Sequence, residues 1–281
     1  MELGEPDDSI SMKIELIGYP PCDDPKEERF FKASIMREVL STSTSDIVVF
    51  PGSSILSLDD FTSIVNDITI TINVKIVIFE VSSVKKTKIV KNAKSKKPIF
   101  IGRGYCYDFV QKKYLLYELK QRYAMGSDLD RYPELFDEMY EEWKGGLRSF
   151  KYDGKTFTVL MCGETAMLKC NMVNGKIGPA QFRIQDPQAL ANFQKIMDGT
   201  DIFLNPIHTI QGNQGKIKRR REVLSSKGKI YFSTASIKNG EVSSKSASLQ
   251  YAVCNGNALP PISEEIRGVN NYEHISRMFK I

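Results

Sequence analysis

Short apolar runs rich in β-branched residues alternate with amphipathic stretches along this chain. We interpret the runs as β-strands because each is short, apolar and bounded by turn residues. They are MKIELIGY (12–19), DIVVFPG (46–52), VKIVIFE (74–80), KPIFIGRGYC (97–106), TFTVLMCG (156–163), DIFLNP (201–206), KIYFSTAS (229–236) and LQYAVCNG (249–256).

Helical periodicity separates several of these runs. Phe31, Ile35 and Val39 share one face of a predicted helix, as do Phe61, Ile64, Val65 and Ile68 of the next. A third helix is predicted after Asp186, a suitable N-cap that is followed by Pro187 and, at the far end, by Gly199. Strands alternating with helices predict an α/β fold.

One short motif occurs twice. Ser45-Asp46-Ile47 opens one apolar run and Thr200-Asp201-Ile202 opens another, and each run ends on a proline. The two copies lie about 155 residues apart, which indicates two related halves packed into one domain.

The composition is that of a globular protein, and the polar, acidic residues 1–11 together with the lack of a long apolar segment argue against secretion and membrane spanning. We therefore expect a cytoplasmic protein with no membrane association. The five cysteines are scattered without a C-x-x-C pair, and there are only two histidines. This pattern predicts neither a disulfide framework nor a metal site, and no cofactor.

The net charge of +5 is unevenly distributed. Residues 85–97 and 216–229 are basic, whereas residues 128–142 are acidic. No nucleic-acid-binding module accompanies the basic segments, so we do not expect a nucleic-acid partner. Solvated faces, an acidic small-molecule substrate, or pairing of opposed segments in a homo-oligomer all account for such a distribution.

Three blocks together resemble the carbon–nitrogen hydrolase (nitrilase and amidase) superfamily: DIVVFPG, TFTVLMCGE, and DIFLNPIHT followed by KRRREVLSSKGKIYFSTAS. The resemblance implies a four-layer αββα sandwich over residues 12–255. Residues 1–11 would then be an N-terminal tail and residues 256–281 a C-terminal extension. It also implies an amide or nitrile substrate and a homo-oligomer.

The resemblance assigns candidate site residues. Family members use a Glu-Lys-Cys triad, in which Cys162 matches the nucleophile and Lys120, in YLLYELKQRY, matches the lysine; Lys113 is the alternative. Glu164, beside the nucleophile, and Glu142 or its neighbour Glu141, matching a second family glutamate, are candidate substrate-binding residues.

The chain departs from the family at the general base. Family members read Phe-Pro-Glu where this chain reads Phe50-Pro51-Gly52, and a glycine carries no proton. Glu80, at the end of a neighbouring predicted strand, is a candidate replacement, because active groups of such sheets gather at the carboxyl ends of strands. Ion pairing with the 85–97 lysines is its structural alternative.

His208 is a further candidate for contact with the substrate, and its structural alternative is to satisfy local backbone groups. Asp59 and Asp60 are predicted to be structural, in the first turn of a helix.

Three functions fit these observations. One is a thiol amidohydrolase that forms a thioester at Cys162, and another is a catalytically inactive homologue that acts as a binding or regulatory subunit. The third is an interaction module that uses its charged segments.

Overall fold

A computed structural model describes residues 11–19, 25–68, 72–82, 102–184, 186–209, 214–236, 250–269 and 272–281. Cys22 and the basic segment 85–97 lie outside the described residues. No helix in the described ranges has the length and apolarity needed to cross a membrane.

Two large β-sheets and a hairpin make up the strand structure. The seven-stranded sheet has the order β14-β15-β1-β2-β3-β4-β5. Its strands are β1 (Lys13–Gly18), β2 (Ile47–Val49), β3 (Ile76–Val81), β4 (Arg103–Asp108), β5 (Lys113–Lys120), β14 (Ser263–Val269) and β15 (Tyr272–Lys280).

The six-stranded sheet has the order β13-β12-β11-β10-β7-β6. Its strands are β6 (Ser149–Tyr152), β7 (Lys155–Val159), β10 (Ile202–Thr209), β11 (Ile230–Ser236), β12 (Tyr251–Cys254) and β13 (Asn257–Ala258). A separate hairpin pairs β8 (Leu168–Val173) with β9 (Lys176–Phe182).

Six α-helices lie among the described residues: α1 (Pro25–Thr42), α2 (Leu58–Asp67), α3 (Gly126–Arg131), α4 (Glu134–Lys144), α5 (Pro187–Asp198) and α6 (Gln214–Leu224). The predicted caps are confirmed in α5, where Asp186 accepts a hydrogen bond from the Ala189 amide and Gly199 ends the helix. Asp59 and Asp60 lie in the first turn of α2, as predicted.

Three hydrophobic clusters divide the molecule into four layers. The central cluster lies between the sheets and includes Ile47 and Ile78 on one side and Phe157 and Leu204 on the other. Phe31 and Phe61 of α1 and α2 cover the outer face of the seven-stranded sheet, and residues of α4, α5 and α6 cover the outer face of the six-stranded sheet. This order, helix, sheet, sheet, helix, is the predicted αββα sandwich.

The repeated sequence motif has a structural counterpart. The Asp46 carboxylate accepts a hydrogen bond from the Lys13 amide at 2.9 Å, and the Asp201 carboxylate accepts one from the Thr156 amide at 2.7 Å. Each aspartate thus joins the start of its own strand to the start of the parallel neighbour. The motif marks two equivalent strand pairs, one in each sheet.

The residues that follow the two motifs bring the sheets together. Gly52 donates its N–H to the Ile207 carbonyl at 3.0 Å, and these residues stand at equivalent places in the two copies. The carboxyl ends of β2 and β10 therefore meet at a single point between the sheets. Residues placed just after these strands face one another there.

The C-terminal segment is an integral part of the seven-stranded sheet. β1 pairs antiparallel with β15 over the whole length of β1, from Lys13 opposite Lys280 to Gly18 opposite Ile275. β14 pairs with the other edge of β15. Residues 256–281, which we separated as an extension, thus include two strands of the main sheet.

Candidate active site

Cys162 lies on a sharp turn just beyond β7. The strand itself ends at Val159, and Leu160 continues its pairing by donating to the Leu204 carbonyl at 2.9 Å. Gly163 follows with a φ of +81°, and a Cβ there would lie 2.4 Å from the Ala124 carbonyl oxygen. Only glycine fits both the backbone conformation and the space. The turn leaves the free thiol of Cys162 half-buried at the end of the sheet.

Glu164 holds this turn from beneath. Its fully buried carboxylate accepts hydrogen bonds from the amides of Met161 at 2.8 Å and Arg122 at 3.0 Å. The guanidinium of Arg148, itself fully buried, donates to the same carboxylate at 2.7 and 3.1 Å. Glu142 accepts a further bond from Arg148 Nε at 2.8 Å.

These contacts show which groups the two glutamate carboxylates bind. Glu164 and Glu142 are the predicted substrate-binding residues, and Arg148 binds both carboxylates. The Arg122 amide also donates to Glu164, and the Arg122 guanidinium donates to Glu142. Removing one partner from a buried ion pair typically costs about 3–5 kcal/mol of stability. We therefore interpret both glutamates as groups that position the Cys162 turn.

The second cluster joins His208 to Glu80 across the sheets. His208 Nε2 lies 2.8 Å from Glu80 Oε1. Glu80 is almost completely buried at the end of β3, and its Oε2 has no hydrogen-bond partner among the described residues. His208 thus bonds a side chain 128 residues away in sequence. Substrate contact by His208 stays a prediction.

His208 also contacts the candidate nucleophile. Burial works to lower the pKa of His208, but the Glu80 carboxylate and a hydrogen bond to Cys162 outweigh it and raise that pKa from 6.5 to about 11. The imidazole therefore remains protonated at neutral pH. His208 thus lies near the Cys162 thiol and is hydrogen-bonded to the Glu80 carboxylate.

The space for the imidazole exists because residue 52 is a glycine. A Cβ on Gly52 would lie 2.7 Å from His208 Cδ2, 2.9 Å from its backbone nitrogen and 3.0 Å from Cγ. Real Cβ atoms essentially never approach other heavy atoms below 3.0 Å. The position where family members carry a glutamate is thus filled by the ring of His208.

The two candidate lysines lie at opposite ends of β5. Lys113 pairs with Asp108, which is opposite Ile76 at the start of β3, whereas Lys120 pairs with Arg103, which is opposite Val81 beside Glu80. The register therefore favours Lys120 over Lys113 as a lysine near Cys162. However, the Lys120 side chain is exposed and forms no ion pair with a described residue; its carbonyl accepts a bond from Arg148 at 2.6 Å.

Backbone donors beside the thiol are available for an anion. Neither the Cys162 nor the Gly163 N–H donates to another group in the described part of the chain. The carbonyls just before them are held by Asn205, whose Nδ2 donates to Leu160 at 2.7 Å and Met161 at 3.2 Å. Two free N–H groups on a fixed turn are suited to stabilise an oxyanion.

A shallow depression of about 400 Å³ lies elsewhere, lined by residues that include Glu222 and Asn255. Asn255 follows Cys254, which pairs with Ile230 at the start of β11, so this depression is at the opposite end of the sheet from Cys162. It is separate from the candidate site.

Sequence reasoning selected five of these residues, Cys162, Glu80, Glu142, Glu164 and His208, but not how they are grouped. It did not predict that the missing side chain at Gly52 leaves room for His208. It also did not single out Arg148, because nothing in the sequence distinguishes this arginine from a surface residue. The repeated motif contained one usable signal. Aligning its two copies sets Gly52 against Ile207, and His208 is the next residue.

Several solved structures are similar to this chain, while no protein-family model and no curated protein matches it. A glutamine-dependent NAD+ synthetase from Acinetobacter baumannii is 12% identical with a TM-score of 0.48, and the match covers 96% of this chain but 45% of the synthetase. The chain thus spans less than half the length of that enzyme.

An amidase from Nesterenkonia sp. is 10% identical with a TM-score of 0.49, and the match covers 95% of this chain and 90% of the amidase. A mutant of the amidase from Nesterenkonia sp. AN1, with the acetamide moiety of fluoroacetamide covalently added at its active-site cysteine, is 10% identical with a TM-score of 0.48 and the same coverage. These are similarities of fold. By its own layer order this chain is an αββα sandwich, with Cys162 just beyond the end of β7.

Proposed function

We propose that this protein is a thiol hydrolase of carbon–nitrogen bonds in amides or nitriles, with His208 acting in place of the absent family glutamate. Cys162 is the nucleophile, His208 carries the proton, and Glu80 orients and charges the imidazole. One observation supports this proposal above the others: the His208 ring lies between Glu80 and Cys162 in the space that Gly52 leaves open.

The protonated state of His208 suits the first half of such a reaction. The thiolate is the nucleophilic form of cysteine, and the imidazolium next to Cys162 holds the proton that the leaving group needs. The thiolate attacks the amide carbon, and the oxyanion that forms accepts bonds from the free N–H groups of Cys162 and Gly163. Collapse expels the amine as the C–N bond breaks, and His208 gives its proton to that leaving group.

The second half reverses the direction of proton transfer. His208, now neutral, takes a proton from water while the remaining hydroxide attacks the thioester carbon. Breaking of the C–S bond releases the carboxylic acid and restores the thiolate and the imidazolium. One imidazole thus performs both proton transfers that the family assigns to its glutamate.

Glu80 acts through His208 in this scheme. Because Nε2 is engaged by Glu80, the nitrogen left for Cys162 is Nδ1, and the carboxylate determines which face of the ring meets the thiol. The same arrangement of nucleophile, imidazole and orienting group recurs on unrelated folds.

Iodoacetamide labelling tests the proposed thiol first. Cys254 is a matched control because it is half-buried and free, as Cys162 is, but has no histidine partner in the described structure. We expect Cys162 to be alkylated faster than Cys254 at pH 7, and His208→Ala to remove the difference. Equal rates at the two cysteines would overturn the proposed thiolate.

Turnover is tested on a panel of amides and nitriles with ammonia release as the readout. His208→Ala should reduce hydrolysis by about 10²- to 10⁴-fold, the usual contribution of an acid–base group. Hydrolysis that is indifferent to His208→Ala contradicts its role.

A homologue that binds ligand without turnover is the second candidate. The exposed side chain of Lys120 favours it, because the family mechanism needs this lysine beside the nucleophile. It predicts rapid labelling of Cys162 with no ammonia release across the panel.

A further inference from the structure

The β4 segment has no side chain at two neighbouring positions of its inner face. β4 pairs antiparallel with β3, with Glu80 opposite Gly104 and Ile78 opposite Cys106. Ile78 and Cys106 belong to the central cluster between the sheets. Because side chains alternate along a strand, Glu80, Gly104 and Gly102 lie on that same face. We call the gap at Gly102 and Gly104 the glycine notch.

The Glu80 carboxylate occupies the part of the notch at Gly102. A Cβ on Gly102 would lie 1.9 Å from Glu80 Oε1 and 3.0 Å from its Cδ. Oε1 is the same oxygen that lies 2.8 Å from His208 Nε2. In a packed interior, even a methyl group at residue 102 would therefore displace the oxygen that contacts the imidazole.

The backbone of Glu80 is fixed on both sides. Its N–H donates to Ser54 Oγ at 3.1 Å, and its carbonyl accepts a bond from the Ile55 amide at 3.1 Å. The side chain is almost completely buried, and within the described residues its carboxylate hydrogen-bonds to His208. A carboxylate forced out of the notch would thus move by rotation of its own side chain, and this rotation would carry Oε1 away from His208.

We propose that Gly102 is a positioning residue of the site: its missing side chain gives the Glu80 carboxylate its place, and this place holds the carboxylate against His208. Gly52 makes room for the imidazole, and Gly102 makes room for the carboxylate. Two glycines distant in sequence thus admit the two halves of one hydrogen-bonded pair. The inference rests on the proposed function for its effect on catalysis, but the pair itself can be tested without turnover.

NMR of the imidazole groups tests the role of Gly102 directly. The chain contains two histidines, so protein labelled at histidine gives two imidazole signals, and His208→Gln assigns them. Glu80 and Cys162 are the titratable groups that raise the pKa of His208 to about 11, whereas burial lowers that of His274 to about 4. In the wild type, the His208 signal should stay that of an imidazolium up to about pH 9. His274 is the internal reference.

Gly102→Ala should move the carboxylate away from Nε2. We expect the pKa of His208 to fall by about 1–3 pH units, the usual effect of a nearby opposite charge. The matched control is Gly126→Ala, where the Cβ would lie 1.8 Å from Arg183 Nη2, again the tip of a charged side chain but not one of the site. It should leave His208 as in the wild type. An unchanged His208 pKa in folded Gly102→Ala overturns the inference.

A double-mutant cycle tests whether Gly102 acts through Glu80. In a Glu80→Gln background the charge is already absent, so Gly102→Ala should lower the pKa of His208 no further. An equal fall in both backgrounds indicates a general structural effect and overturns the inference. If thermal melting shows that Gly102→Ala does not fold, the double variant with Glu80→Asp decides, because the shorter side chain leaves room for the methyl group. This double variant should fold, and its failure to fold also overturns the inference.

The two proposals fail in different ways. A lowered His208 pKa in Gly102→Ala, without ammonia release from any amide or nitrile, leaves the role of Gly102 standing and removes the proposed activity. Ammonia release that depends on His208, with neither the rate nor the His208 pKa changed in Gly102→Ala, leaves the activity standing and removes the role of Gly102.

Discussion

Gly52→Ala is the sharpest test of the proposed site, because it displaces His208 without removing any charged or titratable group. The added methyl would lie 2.7 Å from Cδ2 of the imidazole, where an ordinary contact begins near 3.4 Å. The ring must therefore retreat by about 0.7 Å. Rotation of the His208 side chain alone cannot relieve this clash, because the added Cβ would also lie 2.9 Å from the backbone nitrogen of His208.

The expected loss follows from this displacement. A misplacement of about 1 Å in a catalytic group can cost about 10²-fold in rate, so we expect Gly52→Ala to reduce hydrolysis by about 10- to 100-fold. The same movement disturbs the geometry between His208 and Cys162 and should change the rate of iodoacetamide labelling of Cys162. Overpacking should also destabilise the protein by about 1–3 kcal/mol.

Gly178→Ala separates the loss of geometry from the loss of stability. A Cβ on Gly178 would lie 3.1 Å from the Asn171 carbonyl oxygen and 3.1 Å from a methyl group of Val173, within the β8–β9 hairpin. Whatever its melting temperature, this folded variant should leave hydrolysis and labelling at wild-type rates, because the hairpin carries none of the candidate site residues. The reasoning is refuted if folded Gly52→Ala retains full hydrolysis and full labelling of Cys162.

Four further predictions test other parts of the structure. Glu80→Gln should keep the fold but lower hydrolysis by about 10²-fold or more, and unchanged kinetics would contradict its part in orienting His208. Because the pKa of His208 is raised from 6.5 to about 11, its contribution to stability is complete below about pH 6.5 and is lost as the pH rises towards 11. The difference in unfolding free energy between wild type and His208→Gln should shrink over that range, and a constant difference would refute the shift. Arg148→Met leaves the buried Glu164 carboxylate without its cation and should destabilise the protein by about 3–5 kcal/mol in a denaturant titration, and an unchanged midpoint would contradict this role of the pair. Self-association remains a proposal from the opposed charged segments, and a monomeric mass by light scattering at both low and moderate salt would count against it.

The sequence by itself determined most of the architecture of this protein. Its β-branched runs and amphipathic segments were sufficient to predict the α/β class, because the spacing of apolar residues follows the repeat of the helix or strand that they form. The N-cap at Asp186 follows from the same local rules. The repeated Asp46 and Asp201 motif indicated two related halves, and the hydrogen bonds of the two aspartates agree with it.

The tertiary structure decided the chemistry, because the decisive contacts join residues far apart in the chain. His208 and Glu80 are separated by 128 residues, and no local pattern reports that their side chains meet. In the sequence, Gly52 indicates only that the family glutamate is missing. In the folded protein it is the space that admits an imidazole, and that exchange depends on two sheets meeting at the Gly52 to Ile207 hydrogen bond. Glu164 is a further case: its position beside Cys162 predicts contact with substrate, which stays a prediction, and only the fold shows that its carboxylate is buried against Arg148.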